Sequence, residues 1–166
     1  MKKDRKNIIL ESLAAMLEEK NMSKITTASL AEKSNITEAA LYRHFPSKRS
    51  IYAELFSFCD DTIFAKCNEL KKEKISAQEK VKKIFIFFML FIEKNKGFAR
   101  LLSREALSSA EQNVSDNVNQ FYERFELVLR QMLKEDEKNL TTQAGISAQL
   151  IITVLEGNIG RYIRSK

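Results

Sequence analysis

The stretch ITTASLAEKSNITEAALYRHFPSK, residues 25–48, predicts two short helices joined by a tight turn. Thr27 can cap the first helix and Thr37 the second, because a threonine hydroxyl accepts a hydrogen bond from a backbone N–H near a helix start. Leu41 and Phe45 are four residues apart, so both lie on the side of the second helix that packs against the first. This arrangement predicts a helix-turn-helix, whose second helix reads the major groove of DNA.

The turn and the orientation of both helices follow from the same stretch. Asn35 lies in the turn, and asparagine tolerates the left-handed backbone that such a turn often needs. The first helix is expected to direct three apolar residues inward: Ala28, Leu30 and Ala31. The second is expected to leave five side chains wholly or partly outside: Glu38, Ala39, Tyr42, Arg43 and His44.

These residues also resemble a known family. TTxxLA at 26–31, ALYRHF at 40–45 and SK at 47–48 resemble the DNA-binding domain of the TetR-like regulators. More narrowly, ITTA at 25–28 and EAALYRHFPSK at 38–48 resemble the SlmA-like nucleoid-occlusion factors of that superfamily. The likeness continues through FYERFE at 121–126, LRQML at 129–133, and EG and RYIRS within 156–165. The chain departs from the family at Asn35, where glycine is usual, and at Lys166, past which the family continues.

The resemblance implies an all-α protein of the TetR-like type. Residues 1–48 would form a three-helix helix-turn-helix DNA-binding domain, and residues 49–166 an antiparallel helical dimerisation and partner-binding domain. Patterns of apolar residues and caps predict helices over 7–19, from Ser47 onward, from Ser76 through 84–92, and over 98–107, 113–135 and 142–165. The run 84–92 is apolar all round and is expected to form the core of the body.

Three of these helices carry apolar stripes. After Ser47 the stripe is expected at Ile51, Leu55, Phe58, Thr62, Ala65 and Leu70. The last two helices carry Val114, Val118, Phe121, Tyr122, Phe125, Leu129, Met132 and Leu133, then Ile146, Leu150, Val154, Leu155, Ile159, Tyr162 and Ile163. In the family such a pair meets its copy in a four-helix bundle. The resemblance therefore implies a homodimer on palindromic double-stranded DNA, with higher-order assembly left open; a purely intramolecular core is the alternative.

Charge and composition agree with a DNA-binding protein. The net charge is +6, and residues 1–50 hold ten Lys/Arg against six Asp/Glu, a net of +4. Positive charge near the helix-turn-helix suits phosphate binding, although a solvated basic face is an equally simple explanation. No signal-peptide core follows the N-terminus, and the run 84–92 is too short to cross a membrane, so no membrane partner is expected. Cys59 and Cys67 cannot bridge on one helix, which favours a reduced, cytoplasmic protein.

Nine residues are the candidates for DNA contact: Thr27, Thr37, Glu38, Ala39, Ala40, Tyr42, Arg43, His44 and Lys48. The two alanines allow close approach to thymine methyl groups. Thr27 and Lys48 are better placed for phosphate, and Thr37 can donate to a phosphate or a base. The resemblance places Tyr42 and His44 at the groove edge.

Some of these assignments have alternatives. Arg43 could read guanine or pair with a carboxylate, and Glu38 could read cytosine or favour the helix N-terminus. Lys2, Lys3, Arg5 and Lys6 form a basic arm that can follow the DNA backbone or remain a frayed terminus.

Catalysis is not indicated. His44 is the only histidine, and no serine or cysteine pattern accompanies it to form a triad. Neither a cluster with zinc-ligand spacing nor a glycine-rich phosphate loop occurs, so no metal or cofactor is expected. The sequence predicts a non-enzymatic protein.

The narrower resemblance implies a second partner besides DNA. SlmA-like proteins associate with the nucleoid and, when bound to DNA, engage the C-terminal tail of the division GTPase FtsZ. At the matching positions this chain has Phe58, Lys66, Asn68, Phe87, Lys94 and Asn95. The two lysines stand where the family has arginine and lose its planar fork. An acidic peptide dotted with apolar residues would suit this surface, whereas Phe58 and Phe87 as plain core residues are the simpler alternative.

Two other functions remain open. In one, the chain is a repressor controlled by a small hydrophobic ligand, which Phe85, Phe87, Phe88, Met89 and Phe91 would enclose. In the other, it is an interaction module whose helix-turn-helix no longer binds DNA. Ligand screening and DNA-binding measurements separate these alternatives from nucleoid occlusion.

Overall fold

The computed structural model describes residues 4–19, 25–107 and 112–165. The helices in these ranges are α1 (Arg5–Glu18), α2 (Thr27–Lys33), α3 (Glu38–His44), α4 (Lys48–Lys71), α5 (Ala77–Lys94), α6 (Lys96–Leu102), α7 (Gln112–Lys134) and α8 (Ala144–Arg164). A short 3₁₀ turn, Glu137–Asn139, lies between the last two. The regular structure of the described ranges is therefore helical, which confirms the predicted fold class.

Local capping positions the two motif helices. Thr26, not Thr27, caps α2, because its hydroxyl accepts from the Ser29 amide at 3.1 Å while the Ser29 hydroxyl accepts from the Thr26 amide at 2.9 Å. The prediction was thus wrong by one residue. Thr37 caps α3 as predicted and accepts from the Ala40 amide at 3.2 Å. Asn35 has the expected left-handed backbone, with φ of 53°.

Helices α1 to α3 form the reader, which we define as residues 4–19 and 25–45. Its core contains Ile9, Leu13, Leu17, Leu30, Ala31, Leu41 and Phe45, all buried. Ala28 is exposed, contrary to expectation. Residues two apart on a helix point to nearly opposite sides, so Ala28 cannot share the inward face of Leu30.

The long helix α4 connects the reader to the body, which we define as α4 to α8. Ser47 caps it as predicted and accepts from the Ser50 amide at 3.2 Å. The buried face is Ile51, Tyr52, Leu55, Phe56, Cys59, Asp60, Ile63, Cys67 and Leu70. The predicted stripe was therefore partly wrong, because Phe58 and Ala65 point to solvent. Each lies two positions beyond a buried residue, Phe56 or Ile63, and two positions rotate a side chain by about 200° around a helix. Both cysteines are free thiols, and burial raises the pKa of each to about 12.

Aromatic rings fill the core of the body. Phe121 of α7 is fully buried, and its ring centroid lies 6.2 Å from that of Phe56, 6.1 Å from that of Phe88 and 6.3 Å from that of Phe98. The stripe predicted on α7, from Val114 to Leu133, is buried throughout. This face of α7 therefore serves the intramolecular core.

Helices α5 and α8 leave several of their apolar residues outside the core. On α5, Ile84, Phe88 and Ile92 are buried, whereas Ile86 and Leu90 are about half exposed, so the helix is not core all round as predicted. On α8, the buried residues are Ala144, Ala148, Ile152, Leu155, Ile159 and Ile163, and the predicted stripe residues Ile146, Leu150 and Val154 point outward. Helix α6 ends at Leu102, earlier than the predicted residue 107.

Candidate DNA-reading face and a groove beside it

The outer face of α3 carries most of the predicted DNA contacts. Leu41 and Phe45 are buried and fix the helix against the reader. On the opposite side, Thr37, Glu38, Ala39, Tyr42 and Arg43 are exposed, and Ala40 and His44 are partly so. The predicted division between packing and exposed residues is confirmed for this helix.

One contact joins the two motif helices on this face. The Tyr42 hydroxyl donates to the Thr27 hydroxyl of α2 across 3.4 Å. Thr27 is the first residue of α2, so its side chain lies at a helix N-terminus, where backbone dipoles favour an anionic oxygen. Thr27 and Tyr42 together form a polar edge that can accommodate a DNA phosphate when α3 lies in the major groove.

Lys48 lies at a second helix start. It is the first residue of α4, and its ammonium group is 5.3 Å from the Tyr52 ring centroid. This cation–π contact orients the side chain without removing its charge. Lys48 therefore adds a positioned positive charge to the dipole of a long helix.

The predicted basic arm is partly helical. Arg5 and Lys6 belong to the first turn of α1, and the Lys6 ammonium lies 5.5 Å from the Phe45 ring centroid. Lys2 and Lys3 lie outside the described residues. Lys6 thus places a positive charge against the end of α3.

A groove of about 300 Å³ lies where α1, α4 and α6 meet. It is lined by Asn7, Leu10, Glu11, Ala14, Glu18, Leu55, Phe58, Cys59, Asn95, Gly97 and Phe98. Phe58 is 66% exposed, so it is no core residue, and its ring can contact a partner. Because α1 belongs to the reader and the other walls to the body, we call this cavity the joint groove.

The other predicted partner residues lie outside the joint groove. Lys66 pairs with Glu69 at 2.8 Å, and Asn68 and Lys94 are exposed. Phe87 is half-buried, and its ring centroid is 6.1 Å from that of Phe91. Of the six predicted residues, the groove brings together Phe58 and Asn95. The charged lining residues of the groove are Glu11 and Glu18, so an acidic peptide would meet two side chains of its own charge on the α1 wall.

Two residues of α6 that sequence reasoning missed fix the reader to the body. A Cβ on Gly97 would lie 2.8 Å from the Ala14 carbonyl oxygen, so only glycine allows this approach of α6 to α1. Arg100 is buried, and its Nη1 donates to the carbonyl oxygens of Leu17 and Glu19. The sequence showed Gly97 only as a helix end, and nothing local marked Arg100.

A charged pair connects α4 to α7 inside the body. Arg124 donates to Asp60 Oδ2 at 3.0 Å, and its guanidinium lies 4.1 Å from the Phe64 ring centroid. Burial raises the pKa of Asp60, although Arg124 opposes this shift. Asp60 Oδ1 is buried without a hydrogen-bond partner among the described residues. This carboxylate is therefore imperfectly compensated when ionised.

The aromatic residues proposed to enclose a ligand lie in different surroundings. Phe88 is fully buried, and its ring centroid lies 5.4 Å from that of Phe125. Phe91 packs edge-on against Phe98 at 5.7 Å, whereas Phe85 lines an open depression of about 330 Å³ beside α7 and α8. Packed rings of this kind are ordinary core.

The described ranges show neither a metal-binding cluster nor a membrane-spanning helix. They contain no group of three or more His, Cys, Asp or Glu side chains that could hold a metal ion. None of the helices in those ranges is long and apolar enough to cross a membrane.

Comparison with known proteins agrees with this architecture. The tetR family of bacterial regulatory proteins matches residues 9–55, and a SlmA-like, tetracyclin repressor-like C-terminal domain matches residues 76–166. The nucleoid occlusion factor SlmA of Vibrio vulnificus is 35% identical over 169 residues, covering 99% of this chain and 86% of that protein. SlmA of Salmonella dublin is also 35% identical, over 170 residues with the same coverage.

Solved structures share the fold at lower identity. A TetR transcriptional regulator from Legionella pneumophila superposes with a TM-score of 0.72 and 22% identity, covering 96% of this chain and 85% of that one. The fatty acid degradation regulator FadR from Bacillus halodurans superposes with a TM-score of 0.79 and 14% identity, covering 99% and 87%. These likenesses concern the fold alone.

Proposed function

Because this chain belongs to the SlmA-like family of TetR-type regulators, which are not enzymes, we propose that it is a sequence-specific DNA-binding nucleoid-occlusion factor. It binds palindromic double-stranded DNA as a homodimer in the cytoplasm, at the nucleoid. When bound to DNA it engages the C-terminal tail of FtsZ, antagonises ring assembly over the chromosome and so regulates cell division. Residues 1–48 act as the DNA-binding domain, and residues 49–166 serve dimerisation and partner binding.

DNA recognition is assigned to the outer face of α3. Ala39 and Ala40 approach base edges, Arg43 reads guanine, and Tyr42 and His44 follow the groove edge. Thr37 contacts phosphate or base from the cap of α3. Thr27 and Lys48 hold phosphates, because each lies at the first position of a helix and presents a donor there. Glu38 supports the α3 N-terminus.

Dimerisation is assigned to the outward row of α8. Ile146, Leu150 and Val154 recur every four residues, and each is about half exposed, as is Leu127 of α7. A contiguous apolar row of this kind is typical of an interface. Pairing two copies through it would present two α3 helices to two half-sites of a palindrome.

The observation that carries the proposal is the composition of the joint groove. An exposed phenylalanine, Phe58, and a polar residue, Asn95, line a cavity of which one wall is the reader helix α1. A peptide in this cavity would touch both the DNA-binding unit and the body, which gives DNA a physical route to affect its affinity. Apolar anchors of the tail would contact Phe58 and Phe98.

The remaining predicted partner residues would act outside the groove. Lys94 ends α5 next to Asn95, and Lys66, Asn68 and Phe87 lie further along α4 and α5. Acidic residues of the tail would lie on the lysine side, and basic ones beside Glu11 and Glu18.

A truncation of the aromatic anchor tests this assignment. In protein saturated with DNA, Phe58→Ala should weaken binding of a labelled FtsZ C-terminal peptide by 2 kcal/mol or more, about 30-fold, as for a hot-spot aromatic. Ile86→Ala is the matched control, because Ile86 is similarly exposed but does not line the groove. Equal loss in both variants, or none in either, would exclude the joint groove as the peptide site.

A ligand-controlled repressor is the second candidate function. One structure of the same fold is FadR from Bacillus subtilis in complex with stearoyl-CoA, with a TM-score of 0.78 and 16% identity. If this candidate holds, hydrophobic ligands such as stearoyl-CoA should raise the melting temperature and weaken DNA binding. The packing of Phe88 against Phe125 argues against a preformed cavity at that position.

A further inference from the structure

One residue of α6, Gly97, both contacts the reader and lines the joint groove. Gly97 approaches α1 so closely that an added Cβ would lie 3.0 Å from Leu17 Cβ and closer still to the Ala14 carbonyl. Gly97 also lines the groove. A shift of α1 relative to the body therefore cannot leave this wall of the groove unchanged, because packed interiors transmit displacement.

The next residue connects the groove to the aromatic core. Phe98 lines the groove, and its ring centroid lies 5.8 Å from that of Phe56 and 5.7 Å from that of Phe91. It is buried together with its neighbours in α6. The body side of the groove is thus rigid, whereas the α1 side depends on how the reader is held.

Arg100 supplies the polar part of this attachment. It is 5% exposed, and its Nη1 donates to the carbonyl oxygens of Leu17 and Glu19, at the end of α1. The last carbonyls of a helix have no partner within the helix and carry the negative end of its dipole, so a guanidinium suits them well. A buried cation that lost these acceptors would be left uncompensated, which favours one defined arrangement of α1 and α6.

We propose that Arg100 is a positioning residue that transmits DNA occupancy from the reader to the joint groove. DNA fixes α3, and both α3 and α2 pack on α1. Arg100 holds the end of α1 to α6, which forms another wall of the groove. This inference rests on the proposed function for its biological meaning, since it explains how DNA would regulate tail binding. The mechanical link itself can be measured without any peptide.

Amide hydrogen exchange with and without DNA tests the link. The probe is a duplex selected by the protein from random-sequence DNA. In the wild type, DNA should slow exchange in residues 26–45 and also, by about 5-fold or more, in residues 97–102, which is the low end of typical coupling between sites. Arg100→Met should keep the slower exchange in residues 26–45 and lose the slower exchange in residues 97–102. Arg100→Lys should restore part of it, because an ammonium can still donate to the α1 carbonyls.

A neighbouring arginine provides the control. Arg104 lies two residues beyond the end of α6 and donates to Asn119 of α7. Its φ of 62° is one that asparagine also tolerates. Arg104→Asn should therefore keep both DNA effects. Preserved protection of 97–102 in Arg100→Met, or none in the wild type, would overturn the inference.

Peptide binding on the same samples separates this inference from the proposed function. If the wild type binds the FtsZ peptide more tightly with DNA, Arg100→Met should reduce that strengthening to about 2-fold or less, from a typical 10-fold. If no peptide binds at all, the proposed function fails, while the exchange data still decide whether Arg100 links the reader to α6.

Discussion

The outer face of α3 and the outward row of α8 are two exposed surfaces with opposite chemistry. On α3 the exposed residues include Tyr42, Arg43 and Glu38, whereas the outward row of α8 consists of Ile146, Leu150 and Val154. A polar and charged surface binds by hydrogen bonds and counterion release, so its affinity depends strongly on salt. An apolar surface binds by burial of apolar area, so its affinity depends only weakly on salt. One chain therefore carries two candidate interfaces, and their different dependence on salt can distinguish them.

The largest expected effect is the loss of dimerisation when the apolar row of α8 is disrupted. Leu150→Glu places a charge in the α8 row, where Leu150 is 57% exposed in the single chain. An unpaired charge buried by association costs about 3–5 kcal/mol, so we expect dimerisation to weaken by about 100-fold or more. Sedimentation velocity measures the loss, and cooperative DNA binding should fall with it. The neighbouring exposed residue provides the control: a Gln149→Glu variant that dissociated equally would contradict this assignment of the interface.

The next effect concerns base reading on α3. Arg43→Ala should cost about 1–3 kcal/mol at one base-pair position and relax preference there, because a bidentate arginine–guanine contact is lost. Selection from random DNA with both proteins gives the change in preference. A uniform loss at every sequence would mean that Arg43 contacts phosphate or supports the helix.

A smaller effect distinguishes positioning from reading. Lys48→Ala should weaken binding to all sequences alike and reduce the slope of log affinity against log salt by about 0.9, the value for one phosphate contact. Lys83 is a control of equal charge, since it pairs with Glu73 of the body at 2.6 Å. If Lys48→Ala and Lys83→Ala changed the slope equally, only net charge would matter and the docking of α3 would be wrong.

The smallest expected effect is on the free energy of unfolding and comes from the core of the body. It should leave both binding surfaces unchanged. The pKa of Asp60 is raised above its ordinary 3.8 by burial, so the folded protein holds a proton there more tightly than the unfolded chain. Stability should therefore fall as pH rises from about 4 through the folded pKa. Asp60→Asn should remove this dependence and leave DNA affinity unchanged. Urea titrations at several pH values give the free energy of unfolding that checks it. A stability that rose with pH over this range in the wild type alone would contradict the assignment.

Sequence reasoning was most successful in the reader because its determinants are local. Thr37, Asn35 and the pair Leu41 and Phe45 each act within one helical turn, and all took the predicted positions. The error at Thr26 and Thr27 was a choice between adjacent capping residues. Either threonine could bond a nearby amide, and only the pairing with Ser29 decided it.

The body was less predictable because its helices have apolar residues on several sides. Periodicity could not tell which side of α5 or α8 packs inward. Leu90 was assigned to the core although it is about half exposed, and the stripe predicted on α8 combined the exposed Leu150 with the buried Leu155. The attachment of α6 to α1 joins residues about eighty positions apart, such as Arg100 and Leu17. No local pattern encodes such a contact, since it depends on how the reader docks on the body.

Binding of a labelled FtsZ C-terminal peptide, with and without a duplex that the protein binds, tests the central claim most directly. We expect DNA to strengthen peptide binding by about 10-fold, a usual magnitude for coupling between two sites on one protein. The same affinity with and without DNA, or no peptide binding by a protein that still binds DNA, would contradict it.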